Sequence, residues 1–254
     1  MQDLTLSLLQ FDQVWEDKAA NRAKITQLTQ GLTTDILLLP EMVDTGFSMN
    51  TSLAEEWSDS NSSLIFLRDL SKCIQGAVYT SIMTKTATGN LNRGVFVTPD
   101  GKVEVYDKRK TFKLAGEHHH YLSGKEERIV AYKGWNINLQ ICFDLRFPEL
   151  VRNSLVHGKP KYDLLIFVAN WPEKRMAHWD ALLQARAIEN QCYVAGANRV
   201  GVDGNGLPYS GNSCVVAMDG SYCFGPCKHE EGIFSCSLEF DQLINYREKL
   251  SFLE

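Results

Sequence analysis

Leu139-Gln-Ile-Cys-Phe-Asp-Leu-Arg-Phe-Pro148 closes a strand-like run, Trp135–Ile141, with a single cysteine, a short polar turn and a proline. Pro148 opens what reads as a helix through about His157, because proline suits the first helical position, where its missing N–H would have no intrahelical partner. A strand running through a turn into a helix is the building unit of an α/β fold. Cys142 sits at that turn, where backbone N–H groups converge and the helix terminus is positive. Both features favour a thiolate. Taken alone, the same residue reads as a buried core thiol before it reads as a nucleophile.

Outward from this stretch, the pattern repeats. Asp35-Ile-Leu-Leu-Leu-Pro40 is a continuous apolar run, as in a strand buried on both faces, and stops at Glu41. Asp163–Ala169 is another such run, and Cys192–Ala197 a further strand. Leu4–Leu9 alternates as a strand, and Gly232–Leu238 is the last one. Ala77–Met83, Gly94–Thr98 and Lys102–Tyr106 are strands, the last two joined as a hairpin by Pro99-Asp-Gly101. Ser213–Met218 and Ser221–Phe224 form a second hairpin at Asp219-Gly220, preceded by a glycine-rich loop, Val200–Gly211.

Helices are expected over Glu16–Leu32, with Ala19, Ala23, Ile25, Leu28 and Leu32 on one face, and to about Ile74 after a Ser58–Ser63 cap, with Leu64, Leu67, Leu70 and Ile74 inward. Met176–Asn190 is a third, packing Ala177, Leu182 or Leu183, Ala187 and Ile188, and Gln242–Phe252 a short terminal one. With no repeat or linker, one layered α/β domain over residues 1–254 is the simplest solution.

Composition narrows the function. The 254 residues carry a net charge of −5 with charges dispersed, which excludes the basic footprint of a nucleic-acid binder. The amino terminus reads as a strand and not as a signal peptide, and no run approaches the roughly 18 apolar residues of a membrane span. Seven cysteines, an odd number, point to reduced thiols in the cytoplasm. Cys73 and Cys192 look like core residues. Cys223 and Cys227 lack the second pair that a zinc site prefers, so a structural metal there is only an alternative.

Glu41, Lys108 and Cys142 each follow a strand-like run, and ligand sites in α/β sheets form outside the carboxyl ends of strands. A thiolate can attack a carbonyl carbon, an ammonium can hold the resulting oxyanion and a carboxylate can move protons. Each residue alone has an ordinary structural reading.

Three ordered motifs change the balance: Leu38-Leu-Pro-Glu41, Tyr106-Asp-Lys108 and Ile141-Cys-Phe-Asp-Leu-Arg-Phe-Pro-Glu149. With His178-Trp179, Ala185–Gln191 and Asn198-Arg199, they resemble the nitrilase (carbon–nitrogen hydrolase) superfamily from about Leu4 to Leu238. The resemblance implies a four-layer α-β-β-α sandwich with mixed sheets and a cofactor-free Glu-Lys-Cys triad. Glu41 would be general base and acid, Lys108 the oxyanion's cation, Cys142 the nucleophile and the Phe143 N–H the second oxyanion donor. Glu117 falls where the family often has a second glutamate, which would position Lys108 and the substrate. The family pairs protomers through a helical face, so a homodimer is expected, with the helices after Cys142 and before Gln191 as candidates.

Val168-Ala-Asn-Trp-Pro172, Arg175, His178-Trp179, Asp107-Lys-Arg109 and Glu117–Tyr121 resemble the bacterial ω-amidase branch in particular. That branch implies small ω-amides of dicarboxylic acids, such as α-ketoglutaramate, as substrates. Their distal carboxylate calls for a cation, with Arg175, Arg146 and Arg109 as candidates. A salt bridge of Arg146 with Asp144 or Glu149 is its competing, structural reading. Trp171 and Phe143 would wall the pocket and Asn170 line it. His118-His-His120 is read as a loop and not a metal site, with His120 or Tyr121 near the pocket. Other amidases of the superfamily (N-carbamoyl or deaminated-glutathione type), nitrilases, a thiol redox sensor and a catalytically dead scaffold are the alternatives.

Overall fold

The computed structural model describes residues 2–253 and places two mixed sheets face to face with helices outside them. The first sheet has the order β13-β1-β2-β3-β4-β5, built from β1 (Leu4–Gln10), β2 (Ile36–Leu38), β3 (Ala77–Thr86), β4 (Gly89–Val97), β5 (Val103–Asp107) and β13 (Gly232–Leu238). β1, β2 and β3 run parallel, with Leu6 opposite Ile36 and Ile36 opposite Ala77, whereas β3, β4 and β5 are antiparallel. The second sheet has the order β10-β11-β9-β8-β7-β6. Its strands are β6 (Ile129–Tyr132), β7 (Trp135–Ile141), β8 (Leu164–Val168), β9 (Tyr193–Ala197), β10 (Val200–Val202) and β11 (Pro208–Val216), and β12 (Tyr222–Lys228) also pairs with β11. β7, β8 and β9 are parallel.

The strands' period of two explains the layers. Leu6, Leu8, Ile36, Leu38 and Tyr79 face the second sheet, where they join Ile137, Leu139 and Ile141 in one core. Their neighbours Leu9, Leu37, Leu39, Val78 and Ile82 face outward and are covered by α1 (Lys18–Leu28) and α2 (Ser62–Ile74). α3 (Met176–Asn190) covers the second sheet so closely that a Cβ on Gly196 of β9 would lie 2.6 Å from the Trp179 ring. α4 (Phe240–Lys249) follows β13.

Several expectations are corrected. α1 exposes Ala19 and Ala23 and buries Asn21 and Ile25. Asn21 faces inward because its amide bonds the backbone at Val14, Asp17 and Asp44. On α3, Ala177 and Ile188 are exposed, and Trp179 and Arg186 are buried instead. The helix opened by Pro148 lasts one turn, to Val151. His157 and Gly158 then take left-handed conformations (φ 52° and 75°), the geometry of a two-residue hairpin turn, and pair Leu155–Val156 with Lys159–Pro160. The glycine-rich 200–211 segment is largely a hairpin of β10 and β11. Cys73 is exposed, and Cys223 and Cys227 lie on β12 as free thiols. No described helix is long and apolar enough to cross a membrane.

Candidate active site

Both sheets deliver their polar termini to one place. Glu41 follows β2, Lys108 follows β5 and Cys142 follows β7. Lys108 is fully buried, with Nζ 2.8 Å from Glu41 Oε1 and 3.0 and 2.9 Å from the two carboxylate oxygens of Glu117. Asn92, on β4 beside Lys108, donates its amide to Glu41 Oε1 at 2.8 Å and Glu117 Oε1 at 3.1 Å. The Asn170 N–H donates to Glu41 Oε2 at 3.0 Å, while its side-chain amide donates to the Glu41 carbonyl at 2.6 Å. Gln13 donates to the Glu41 carbonyl as well. Glu41 is thereby held at both ends.

Cys142 adopts φ 45°, an uncommon conformation for a residue with a side chain, on the strand-to-helix turn. It opens a short 3₁₀ helix, Cys142–Arg146, so the N–H of Phe143 falls in a first turn that has no intrahelical acceptors. Asp144 fixes this turn. Its carboxylate accepts from the Ile141 N–H (3.2 Å), the Lys110 N–H (2.8 Å) and the Tyr106 hydroxyl (2.8 Å), tying the Cys142 turn to the segment that carries Lys108.

Electrostatics correct the expectation of a thiolate. Burial pushes the Cys142 thiol well above its ordinary range and the Glu41 carboxylate adds to this, with the Lys108 charge opposing them. Burial and the Glu41 charge thus both favour the protonated thiol over the thiolate. Burial works against the Lys108 ammonium, but the charges of Glu117 and Glu41 outweigh it and hold the group protonated, above the usual lysine range. The arrangement can therefore move a proton from sulfur to a carboxylate as the sulfur attacks, and offers a fixed cation and an N–H to a developing oxyanion.

Cys142 opens into a cavity of about 640 Å³ that is also lined by Phe143, Arg146, Asn170, Trp171 and Arg175. Arg146 forms no ion pair with Asp144 or Glu149, since Asp144 is engaged by the turn and Glu149 faces Lys110 at 3.7 Å. Its guanidinium lies over the Trp171 ring, 4.6 Å from the centroid, and meets His178 Nδ1 at 3.1 Å. Arg175 lies over Phe112 at 5.1 Å. Arg109 is excluded from the cavity wall because its guanidinium is taken by the Leu150 carbonyl and the Tyr106 hydroxyl. His120 and Tyr121 do not line the cavity either. His118, His119 and His120 are exposed, while Tyr121 packs with Met42 and Met83 and donates to the Ser48 carbonyl.

Comparison with known proteins accords with this geometry. Residues 5–248 match the model of the carbon–nitrogen hydrolase family. The chain belongs to that family. It is 42% identical to the omega-amidase YafV of Yersinia enterocolitica over 98% of this chain and 95% of that one. It is 30% identical to the 2-oxoglutaramate amidase of Bacillus subtilis over 97% and 95% of the two chains. Among solved structures it resembles XC1258 of Xanthomonas campestris, a CN-hydrolase superfamily protein whose crystal structure carries an arsenic adduct in the active site. The TM-score is 0.96 at 38% identity, covering 99% of this chain and 96% of the other. As a carbon–nitrogen hydrolase, the chain has the two-sheet, helix-flanked architecture of its family.

Proposed function

We propose that the protein is an ω-amidase, hydrolysing small ω-amides of dicarboxylic 2-oxo acids such as α-ketoglutaramate to the acid and ammonia. The observation that carries this reading is one cavity presenting the Cys142 thiol together with two guanidiniums, Arg146 and Arg175. Its support in comparison is the pair of relatives named omega-amidase and 2-oxoglutaramate amidase.

In this mechanism Cys142 Sγ attacks the amide carbon as Glu41 accepts the thiol proton. The oxyanion is held by the Lys108 ammonium and the Phe143 N–H. Glu41 returns the proton to the departing nitrogen, ammonia leaves and a thioester remains on Cys142. Glu41 then takes a proton from water, whose oxygen attacks the thioester carbon, and the acid and the free thiol are regenerated. Glu117 and Asn92 position Lys108 and Glu41, Asn170 orients Glu41, and Trp171 and Phe143 wall the cavity. Arg146 and Arg175 receive the distal carboxylate, which suits the planar fork of arginine.

The same reading takes residues 1–254 as one domain, supported by a core that runs between the two sheets, and places it in the cytoplasm, supported by seven free cysteines. It includes a homodimer, supported by exposed apolar Ile188 on α3, next to the Glu189 carbonyl that accepts from Arg152. Sedimentation equilibrium tests that last point.

Steady-state ammonia release across ω-amides, N-carbamoyl compounds, deaminated glutathione and nitriles tests the activity. The highest kcat/KM is expected for the ω-amides, and preference for nitrile or ureido substrates overturns the reading. Removing an oxyanion donor costs about 10²–10³ in rate, so K108A should be nearly inactive, and C142A, which lacks the nucleophile, should release no ammonia by this route. Ammonia release retained in C142A overturns the mechanism.

A further inference from the structure

Arg146 is held in an unusual way for a cation at a cavity wall. Its Nη2 lies 3.1 Å from His178 Nδ1, and no carboxylate among the described residues pairs with it. Arginine has five N–H donors and no acceptor, so in this contact the Arg146 guanidinium donates and His178 Nδ1 is the acceptor. His178 stands in the first turn of α3, two residues beyond Met176, and is itself exposed. On its other side the guanidinium rests on Trp171, whose indole N–H donates to the Arg175 carbonyl at 2.9 Å. Burial and the like charge of Arg175 both disfavour the Arg146 cation.

A carboxylate in place of His178 would hold the same guanidinium more strongly, but would cancel its charge and repel an incoming anion. A neutral acceptor aims the group and leaves the charge for a ligand. We propose that His178 is a positioning residue that aims Arg146 into the cavity un-neutralised, and so sets the preference for amides bearing a distal carboxylate. His178 does not touch substrate in this role; it acts through Arg146. The inference rests on the ω-amidase reading, since it presumes that the cavity receives a carboxylate.

Three substitutions and two substrates separate the possibilities. The probes are succinamic acid, which carries the distal carboxylate, and butyramide, a neutral amide of the same length. Wild-type kcat/KM for succinamic acid over butyramide tests the underlying reading, and a ratio near one overturns that reading regardless of His178. Given a wild-type preference for the anion, H178A should raise KM for succinamic acid about 10- to 100-fold, the order expected when one hydrogen bond to a charged group is lost, with kcat moving far less. H178N offers a neutral acceptor on a shorter stem and should restore part of the loss. H178D offers a charged acceptor, and should depress the anion-to-neutral ratio more than H178A does.

A merely structural histidine predicts otherwise. H178A and H178D would then lower kcat/KM for both amides in the same proportion, and that result overturns the proposal. So would an H178D enzyme with the wild-type anion preference.

Discussion

Glu117 grips Lys108 with both carboxylate oxygens, 3.0 and 2.9 Å from Nζ, and neither residue is exposed to solvent beyond 1%. The same carboxylate accepts from the Phe112 N–H, so Glu117 also closes the loop between the two residues. Removing one partner of a buried ion pair leaves the other charge uncompensated and costs about 3–5 kcal/mol. Glu41 still faces Lys108 in E117A, so the stability lost in denaturant titrations should fall below that range, at about 1–3 kcal/mol. E117A should also lose about 10² in kcat, as expected when a group that acts on the reacting centre is misplaced by an ångström. An E117A enzyme with wild-type turnover would remove Glu117 from the positioning of Lys108.

Burial raises the Cys142 thiol and the Glu41 carboxylate raises it further, so E41Q should make the thiol more acidic even as it removes the proposed base. Absorbance of the thiolate near 240 nm, taken as the difference between a Cys142-containing enzyme and its C142S counterpart, reads this directly. In wild type the midpoint should lie above that of a free cysteine, about 8.5. In the E41Q background it should move down. A midpoint that stays fixed or rises shows that Glu41 does not act on the thiol through its charge.

Much of this site was readable from the chain because three ordered motifs resemble the carbon–nitrogen hydrolase family, whereas the strand ends alone left each reactive residue an ordinary structural reading. Ile36–Leu38 and Trp135–Ile141 have few alternatives as structure, so Glu41 and Cys142 had to emerge at strand ends. What escaped depends on contacts between strands. Asn92 lies within β4 and gains its role only because β4 pairs with β5, where the Lys108 N–H donates to the Asn92 carbonyl. Asp144 looked like an ion-pair partner for Arg146, yet three donors claim it, two of them from the distant segment that carries Lys108. Periodicity misread α1 because alanine, which incurs little penalty on either face, counted there as apolar. A polar residue, Asn21, faces inward beside Ile25, for hydrogen bonds that no periodicity encodes.

The contact of α3 with its sheet gives a test of packing that is independent of the chemistry. A methyl group on Gly196 would lie 2.6 Å from Trp179 Cζ2 and 2.7 Å from Leu183 Cδ1, both on buried side chains. Neither can retreat, because the Trp179 indole donates to the Asn212 carbonyl at 3.0 Å and Leu183 is enclosed by the core. Overpacking of this kind costs about 1–3 kcal/mol, and G196A should lose that much in equilibrium unfolding. Unchanged stability would mean that α3 sits on the sheet less tightly than these distances require.

Asp144 links the Cys142 turn to pH. Burial raises its carboxyl to about 6 from an ordinary 3.8, against the opposing effects of the Lys108 charge and its three hydrogen bonds. The folded protein therefore holds this proton more tightly than the unfolded chain does. Where the folded state binds the extra proton, stability falls as pH rises. The contribution is fully present below about pH 4 and is lost as pH climbs through about 6. D144N removes the titration, so the stability of wild type relative to D144N should decline between about pH 4.5 and 7, as read by denaturant titration at each pH. Above that window the carboxylate is the better acceptor for the Ile141 and Lys110 N–H groups and the Tyr106 hydroxyl. An asparagine there can accept with its oxygen alone and turns an N–H toward another donor, so D144N should also lower kcat near neutral pH. Parallel pH–stability curves for the two proteins would show that the Asp144 carboxyl titrates as it does in the unfolded chain.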